Sequence, residues 1–164
     1  MTQARISRVV EGDATLRMLS ALDLPQTLAW RNHSDSRRWF HSTEVIAPEQ
    51  HQSWFGNYLE RDDDYMFIVE LAGAARAQVA VYGIDRYDAM FGRLLVDPAL
   101  RGQGLGHRAT LLCLRAAGDQ LGLRRLVLEV KHDNAPARRA YERAGFVELG
   151  RDAAGVIQMQ ALLT

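Results

Sequence analysis

Three glycines lie within five residues, between an apolar strand pattern and an amphipathic helix pattern. They belong to the segment DPALRGQGLG at residues 97–106. Residues 89–97 favour a strand that Pro98 ends, and downstream apolar residues recur at helical spacing. Those residues are Leu105, Ala109, Leu112 and Ala116. One glycine would serve a plain turn, whereas several fit a row of exposed N–H groups at a helix N-terminus, which binds phosphate or pyrophosphate. The segment favours an anion-binding turn with Arg101 as a charged donor, and a bare turn is the alternative.

Two other nucleotide-binding patterns compete for the same glycines. Gly104, Gly106 and Ala109 satisfy the dinucleotide fingerprint G-x-G-x-x-A, and Glu129 follows 25 residues after the first glycine. However, the residues PALR separate the strand from the glycines, and the 58 residues after Gly106 are too few for a doubly wound dinucleotide fold. A P-loop is excluded because no Gly-Lys-Ser/Thr ends the segment.

The rest of the chain alternates between strand and helix patterns in the order ββααβββαβαββ. This order predicts one domain of 164 residues with a mixed sheet and helices on its faces. Asp23 is the expected N-cap of the first helix, and residues 47–60 form the second. Asn134 is the expected N-cap of the last helix, which Gly145 ends.

Composition excludes several classes of protein. The 20 basic and 20 acidic residues give zero formal net charge, so nothing favours nucleic acid as a partner. No stretch reaches the roughly 20 apolar residues of a membrane span, and the N-terminus lacks a signal-peptide core. Cys113 is the only cysteine, so we expect a buried thiol and no multi-cysteine metal site. The expected location is the cytoplasm, and the oligomeric state stays open, with a homodimer as one possibility.

Two segments resemble the Gcn5-related N-acetyltransferase (GNAT) family. RGQGLG at residues 101–106 matches its acyl-CoA signature (Q/R)-x-x-G-x-G/A, and NAPARRAYERAGF at residues 134–146 is similar to its N-x-x-A-x-x-x-Y-x-x-x-G-F segment. The resemblance implies a single α/β domain with a mostly antiparallel sheet, a splayed parallel strand pair and helices on both faces. Residues 1–90 would form the acceptor-binding half, and residues 91–164 the acetyl-CoA-binding half.

The resemblance also implies acetyl-CoA as the acetyl donor, with no metal. Pantetheine would lie between the strands at residues 94–96 and 126–130, and a backbone N–H near Val96 would polarise the thioester carbonyl. A side chain at Gly104 or Gly106 would obstruct the pyrophosphate. The expected cofactor-binding residues are Leu95, Val96, Arg101, Gly102, Gln103, Gly104, Leu105, Gly106 and Asn134.

Direct acetyl transfer needs a base for the amine and an acid for the departing thiolate. An alkyl amine is mostly protonated at neutral pH, since its pKa lies near about 10.4. Glu129 is the candidate base, because it is the one carboxylate in the strand pattern RRLVLEV. Tyr141, which matches the family's tyrosine, is the candidate acid. The alternatives are a solvent-facing Glu129 and a tyrosine that only fills the core.

The N-terminal half should select the amine acceptor. Arg31 continues the apolar stripe of Leu24 and Leu28, and His51 shares a helix face with aromatic residues. The segments WRN and APEQHQSWF resemble the acceptor region of enzymes that acetylate nucleotide-linked 4-amino sugars in pseudaminic acid-type pathways. That resemblance implies that Arg31, Asn32 and His51 bind such a sugar. The alternatives are a polyamine or protein N-terminal acetyltransferase and a non-catalytic acyl-CoA-binding module.

Overall fold

The computed structural model describes residues 3–164, which form one eight-stranded sheet with the order β1-β2-β3-β4-β5-β6-β8-β7. The strands are β1 (Val9–Glu11), β2 (Ala14–Met18), β3 (Asp64–Leu71), β4 (Ala74–Asp85), β5 (Asp88–Val96), β6 (Arg125–Lys131), β7 (Val147–Arg151) and β8 (Val156–Leu162). The helices are α1 (Leu24–Asn32), α2 (Ser34–Arg37), α3 (Pro48–Leu59), α4 (Leu105–Asp119) and α5 (Ala135–Arg143). Short 3₁₀ turns lie at Ala21–Asp23 and Pro98–Leu100. No helix in this described part is both long and apolar enough to cross a membrane.

The sheet is antiparallel except where β5 and β6 lie side by side. These two parallel strands pair only from Asp88↔Arg125 to Met90↔Val127. Beyond Met90, β5 remains paired with β4 and β6 remains paired with β8. The two strands therefore separate and leave an opening between residues 91–96 and 128–131. The predicted fold class, including the splayed parallel pair, is confirmed.

Helices cover both faces of the sheet. On one face α4 and α5 pack over a large core, and the predicted stripe of α4 is fully buried there. On the other face α1 and α3 pack over a smaller core that contains Leu24, Trp30, Phe55 and Tyr58. Cys113 is fully buried, as expected, and burial raises the pKa of its thiol.

A bulge distorts β5 next to the opening. The pairing changes between Ala80↔Gly92 and Gln78↔Leu95, so β5 contains one more residue than β4 across this interval. Arg93 occupies the bulge with φ of +55°, a conformation that costs a non-glycine residue energy. Its guanidinium donates to both carboxylate oxygens of Asp64, at 2.7 and 3.0 Å. This ion pair, in which Asp64 is buried and Arg93 is partly exposed, stabilises the bulge.

The helix ends agree with the sequence in part. Asn134 caps α5, since its Oδ1 accepts a hydrogen bond from the N–H of Ala137, and Gly145 has the expected positive φ. The expectation that the Asp23 side chain caps α1 is wrong. Its carboxylate instead accepts from the backbone N–H of Ser20 and from Arg17, because the preceding 3₁₀ turn and a strand arginine offer closer donors. The short helix α2 was not predicted.

Candidate active site

The edge of β5 that faces the opening presents free backbone groups. The N–H of Asp97 donates to Arg76 O on β4, at 2.8 Å. Successive N–H groups along a strand point to opposite sides. The N–H of Val96 therefore points away from β4 and into the opening, whereas the backbone of Leu95 faces β4. This direction agrees with the N–H predicted at Val96 and leaves Leu95 only its side chain as a contact.

The glycine-rich segment ends at the N-terminus of α4 beside this edge. Gly104 is the N-cap residue with φ of +79°, so its glycine is required by the turn itself. Gly106 lies inside the first turn, and a Cβ added there would lie 3.7 Å from Leu94 Cδ2 and 3.9 Å from Val96 Cγ2. The first-turn N–H groups have no acceptor within the helix. The two glycines therefore differ in role: Gly104 allows the positive φ of the turn, and Gly106 leaves the helix backbone without a side chain near the opening.

Arg101 links this segment to the opposite side of the molecule. Its Nη2 donates to Ser36 Oγ at 2.8 Å, and its Nη1 lies 3.8 Å from a carboxylate oxygen of Asp35. Across the opening, Lys131 Nζ at the end of β6 donates to the carbonyl oxygens of Arg38 and Phe40. Residues 35–40 therefore contact both sides of the opening.

The two candidate proton-transfer residues lie on opposite faces of the sheet. Tyr141 is 8 % exposed, its ring packs edge-on against Phe91 at 5.6 Å, and burial raises its pKa. The hydroxyl consequently stays protonated at neutral pH. Glu129 points to the α1 and α3 face, opposite Leu126, Leu128 and Val130. Its side chain is 37 % exposed, and its Oε2 lies 3.2 Å from Nε2 of His41.

A cavity of about 420 Å³ lies on the α1 and α3 face. Its walls come from the α1 and α3 helices, the loop before α3, and strands β3, β4 and β5. Among its lining residues are Thr27, Arg31, Phe40, His51, Gln78 and Arg93, and Glu44 is the only carboxylate lining it within the described residues. A small molecule held here would lie next to the bulge of β5.

Arg31 lines the cavity with a guanidinium that is only partly satisfied. Its Nη2 donates to Ser42 O at 2.8 Å, and the group stacks over the Phe40 ring at 4.1 Å. Its Nη1 is buried and has no hydrogen-bond partner among residues 3–164. Burial, followed by the nearby charge of Arg37, lowers the pKa of Arg31, yet a guanidinium remains charged in proteins. An anion from the cavity would satisfy this donor.

His51 is held as a neutral imidazole in the cavity wall. Thr27 Oγ1 lies 3.2 Å from Leu24 O and 3.1 Å from Nε2 of His51. When the hydroxyl donates to Leu24 O, Nε2 carries the imidazole hydrogen and Nδ1 is left as an acceptor. The ring stacks on Trp54 at 5.5 Å, and burial lowers its pKa.

Asn32, the third predicted acceptor contact, binds backbone. Its Nδ2 donates to Ile46 O and its Oδ1 accepts from Ile46 N, both at 2.8 Å. The side chain therefore supports the loop before α3.

Gln78 and Arg93 are polar residues of the cavity that the sequence did not predict as site residues. Gln78 is 4 % exposed, its Nε2 donates to Arg93 O at 2.9 Å, and its Oε1 is buried without a partner in the described chain. Arg93 itself lies on the cavity wall. The only signal in the sequence was a polar residue within each of two apolar strands. Within residues 3–164, no cluster of three or more His, Cys, Asp or Glu side chains is placed to hold a metal ion.

Comparisons with known proteins find similarity in sequence and in fold. The family model described as an acetyltransferase (GNAT) domain matches residues 13–147. The Bacillus subtilis protein YwnH, provisionally named a phosphinothricin acetyltransferase, is 29 % identical over 140 residues, covering 83 % of this chain and 85 % of YwnH. A mycothiol acetyltransferase of Mycobacteroides abscessus is 49 % identical over 59 residues, which are 36 % of this chain and only 20 % of that protein.

The fold also matches solved structures. Spermidine N-acetyltransferase from Vibrio cholerae, solved with CoA and spermine, has a TM-score of 0.84 at 22 % identity, covering 93 % of this chain and 96 % of that one. At this identity the match supports the shared architecture.

Proposed function

Because the chain belongs to the GNAT family and is an acetyl-CoA-dependent N-acetyltransferase, we propose that its acceptor is a small primary amine carrying a negatively charged group. The observation that carries this proposal is the buried Nη1 of Arg31, which has no partner among the described residues of the chain. A buried donor without a partner is costly, and an acceptor carboxylate, phosphinate or phosphate would satisfy it.

The residues at the opening fit the donor co-substrate. Acetyl-CoA supplies the activated acetyl group as a thioester. Pantetheine would pair with the bare edge of β5, and the N–H of Val96 would donate to the thioester carbonyl oxygen as negative charge develops there. The first-turn N–H groups of α4, with the helix dipole behind them, would hold the pyrophosphate. In this proposal residues 91–164 provide the donor site, and the acceptor site comes mainly from residues 1–90.

Proton transfers complete the reaction. Glu129 does not line the cavity, so it accepts a proton from the acceptor ammonium through an intervening water. The free amine then attacks the thioester carbon, so that a C–N bond forms as the C–S bond breaks. Tyr141 donates its hydroxyl proton to the departing thiolate, and its raised pKa keeps that proton available at neutral pH. The amine gives up a second proton as the amide forms, and this proton restores the Tyr141 hydroxyl. The products are the amide and the free thiol of CoA, and Glu129 releases its proton to solvent.

The cavity favours an anionic acceptor over a polyamine. Its wall carries the guanidiniums of Arg31 and Arg93 and one carboxylate, Glu44. Because Asp64 neutralises Arg93 and the charges of Arg31 and Glu44 are equal and opposite, the wall has no net negative charge to attract a polycation, whereas the buried Nη1 of Arg31 still needs an acceptor. A polyamine would need several carboxylates. A nucleotide-linked 4-amino sugar, expected from the sequence, would supply the negative charge through its phosphates. Phosphinothricin, the acceptor named for the relative YwnH, would supply it through its carboxylate and phosphinate.

A thiol-release assay tests this proposal. The purified protein is given acetyl-CoA with one amine at a time: phosphinothricin, a nucleotide-linked 4-amino sugar, spermidine, an aminoglycoside or an N-terminal peptide. We expect turnover with at least one of the two anionic amines. In the Arg31→Met variant the acceptor KM should rise at least tenfold, which corresponds to about 1.4 kcal/mol, while the KM of acetyl-CoA stays unchanged.

The outcomes separate the alternatives. Turnover confined to spermidine or to peptides would contradict the anionic acceptor and indicate the corresponding acceptor class. If both anionic amines are turned over, the ratio of their kcat/KM values shows which of phosphinothricin and the nucleotide sugar is the better substrate. The Tyr141→Phe variant tests the acid separately, because it should slow turnover and leave acetyl-CoA binding nearly intact. If binding collapses with it, Tyr141 is structural.

A further inference from the structure

We infer that Gln78 positions the reacting amine of the acceptor, by accepting a hydrogen bond from its N–H group at Oε1. This inference rests on the proposed function and adds a second contact to it. Arg31 would bind the anionic end of the acceptor, and Gln78 the amine end. The two side chains come from different walls of one cavity, helix α1 and strand β4.

The orientation of the Gln78 amide follows from its neighbour. One amide atom lies 2.9 Å from Arg93 O, and a carbonyl oxygen accepts hydrogen bonds only from donors. That atom must therefore be Nε2, which fixes Oε1 on the other side of the amide plane. The amide cannot be flipped without placing two oxygens against each other.

The Oε1 atom is a hydrogen-bond acceptor that protein atoms leave unused. Only 4 % of the Gln78 surface is exposed, and its Oε1 has no hydrogen-bond partner in the described residues. Buried carbonyl groups are nearly always hydrogen-bonded, and leaving one unpaired is costly. Because Gln78 lines the cavity, a donor group of a bound molecule is the partner that remains.

The position of Gln78 within the sheet explains why the donor is the reacting amine. Gln78 pairs with Leu95, directly beside the residue whose N–H faces the opening, Val96. Its Nε2 donates to the carbonyl oxygen of the bulge residue Arg93, whose guanidinium is paired with Asp64. An amine bonded to Gln78 would thus lie at the end of the cavity closest to the thioester, held by a fixed support.

The experiment compares an amine with its deaminated form. The amine is whichever anionic acceptor the thiol-release panel identifies, and the deaminated form, with hydrogen replacing the amino group, is used as a competitive inhibitor. In Gln78→Met, which has similar volume and no amide, we expect the KM of the amine to rise at least tenfold. The inhibition constant of the deaminated analogue and the KM of acetyl-CoA should stay within twofold of wild type.

A purely structural role predicts a different result. If Gln78 only supports Arg93, its loss would disturb the bulge, and the amine, the deaminated analogue and acetyl-CoA would all bind more weakly. That result, or an unchanged KM for the amine, would overturn the inference. If Gln78→Met melts at a lower temperature, the ratio of the amine KM to the inhibition constant of the deaminated analogue decides the case. Loss of the Oε1 contact raises this ratio at least tenfold, whereas a general disturbance of the cavity weakens both ligands alike, and an unchanged ratio overturns the inference.

The two proposals fail in distinguishable ways. If the wild-type protein releases thiol with neither anionic amine, the proposed function is wrong, and the role of Gln78 falls with it. If the wild type is active and Arg31→Met shows the expected loss, but Gln78→Met retains wild-type amine KM, only the role of Gln78 is wrong.

Discussion

Replacing Gly106 by alanine should stabilise the protein and weaken its binding of acetyl-CoA. Gly106 lies in the first turn of α4 and does not have a positive φ. The added Cβ would make ordinary contacts with Leu94 and Val96, at 3.7 and 3.9 Å, so nothing in the protein must move. Alanine in a helix is more stable than glycine by about 0.5–1 kcal/mol, which for a chain of this length raises Tm by about 1–4 °C.

The same methyl group should obstruct the donor, because it projects toward the edge of β5 that borders the opening. We expect the Kd of acetyl-CoA to rise at least tenfold. At a concentration one hundred times the wild-type Kd, acetyl-CoA stabilises the wild type by about 2.7 kcal/mol, and a tenfold weaker Kd reduces this to about 1.4 kcal/mol. Thermal melts with and without acetyl-CoA measure both effects, and calorimetric titration gives the Kd directly.

Gly118 provides a matched control in the same helix. A Cβ there would also make ordinary contacts, at 3.8 and 4.0 Å from Leu163, but at the other end of α4. Gly118→Ala should therefore gain stability and keep wild-type affinity for acetyl-CoA. The reasoning is refuted if Gly106→Ala binds acetyl-CoA as tightly as Gly118→Ala does, or if Gly106→Ala lowers Tm.

Three further predictions follow from buried groups. Asp64→Asn leaves the Arg93 guanidinium without its counter-ion. Since Asp64 is 2 % exposed, we expect the free energy of unfolding to fall by about 3 kcal/mol and Tm to fall by about 6–12 °C. A change in Tm below 2 °C would contradict a stabilising ion pair. Burial lowers the pKa of His51 in the folded state, so the unfolded state binds more protons and the free energy of unfolding should fall as the pH drops below about 6.5. The difference in Tm between pH 7.5 and pH 5 should therefore be smaller for His51→Gln than for wild type, and equal differences would count against this. Cys113 should resist a thiol reagent such as Ellman's reagent until the protein is unfolded in denaturant, because burial raises the pKa of its thiol; rapid native labelling would contradict that burial.

The sequence predicted those features that depend on residues close together along the chain. Helix periodicity placed Leu105 and Ala109 in the core, and strand alternation put Glu129 on the face opposite Leu128. The cap at Asn134 and the positive φ of Gly145 also follow from local chemistry. These predictions held because a helix or a strand fixes the directions of its own side chains, whatever packs against it.

Only the tertiary structure decided which distant residues meet at the cavity and beside the opening. Asp64 and Arg93 are 29 residues apart, and Ser36 and Arg101 are 65 residues apart, so neither contact follows from any local pattern. Asp23 shows the same limit, since its partner is an arginine on a neighbouring strand and not the helix that it precedes.

Gln78 depends on both the local sequence and the tertiary structure. In the sequence it is a polar residue within an apolar strand pattern, and alternation gives its face of the sheet but not what lies opposite. Its amide nitrogen donates to the carbonyl of Arg93 in the one-residue bulge of β5, and its amide oxygen has no partner among the described residues. Strand register and bulges are set by packing between distant segments. The sequence by itself therefore predicted the fold and the acetyl donor, and the tertiary structure determined which polar groups line the cavity.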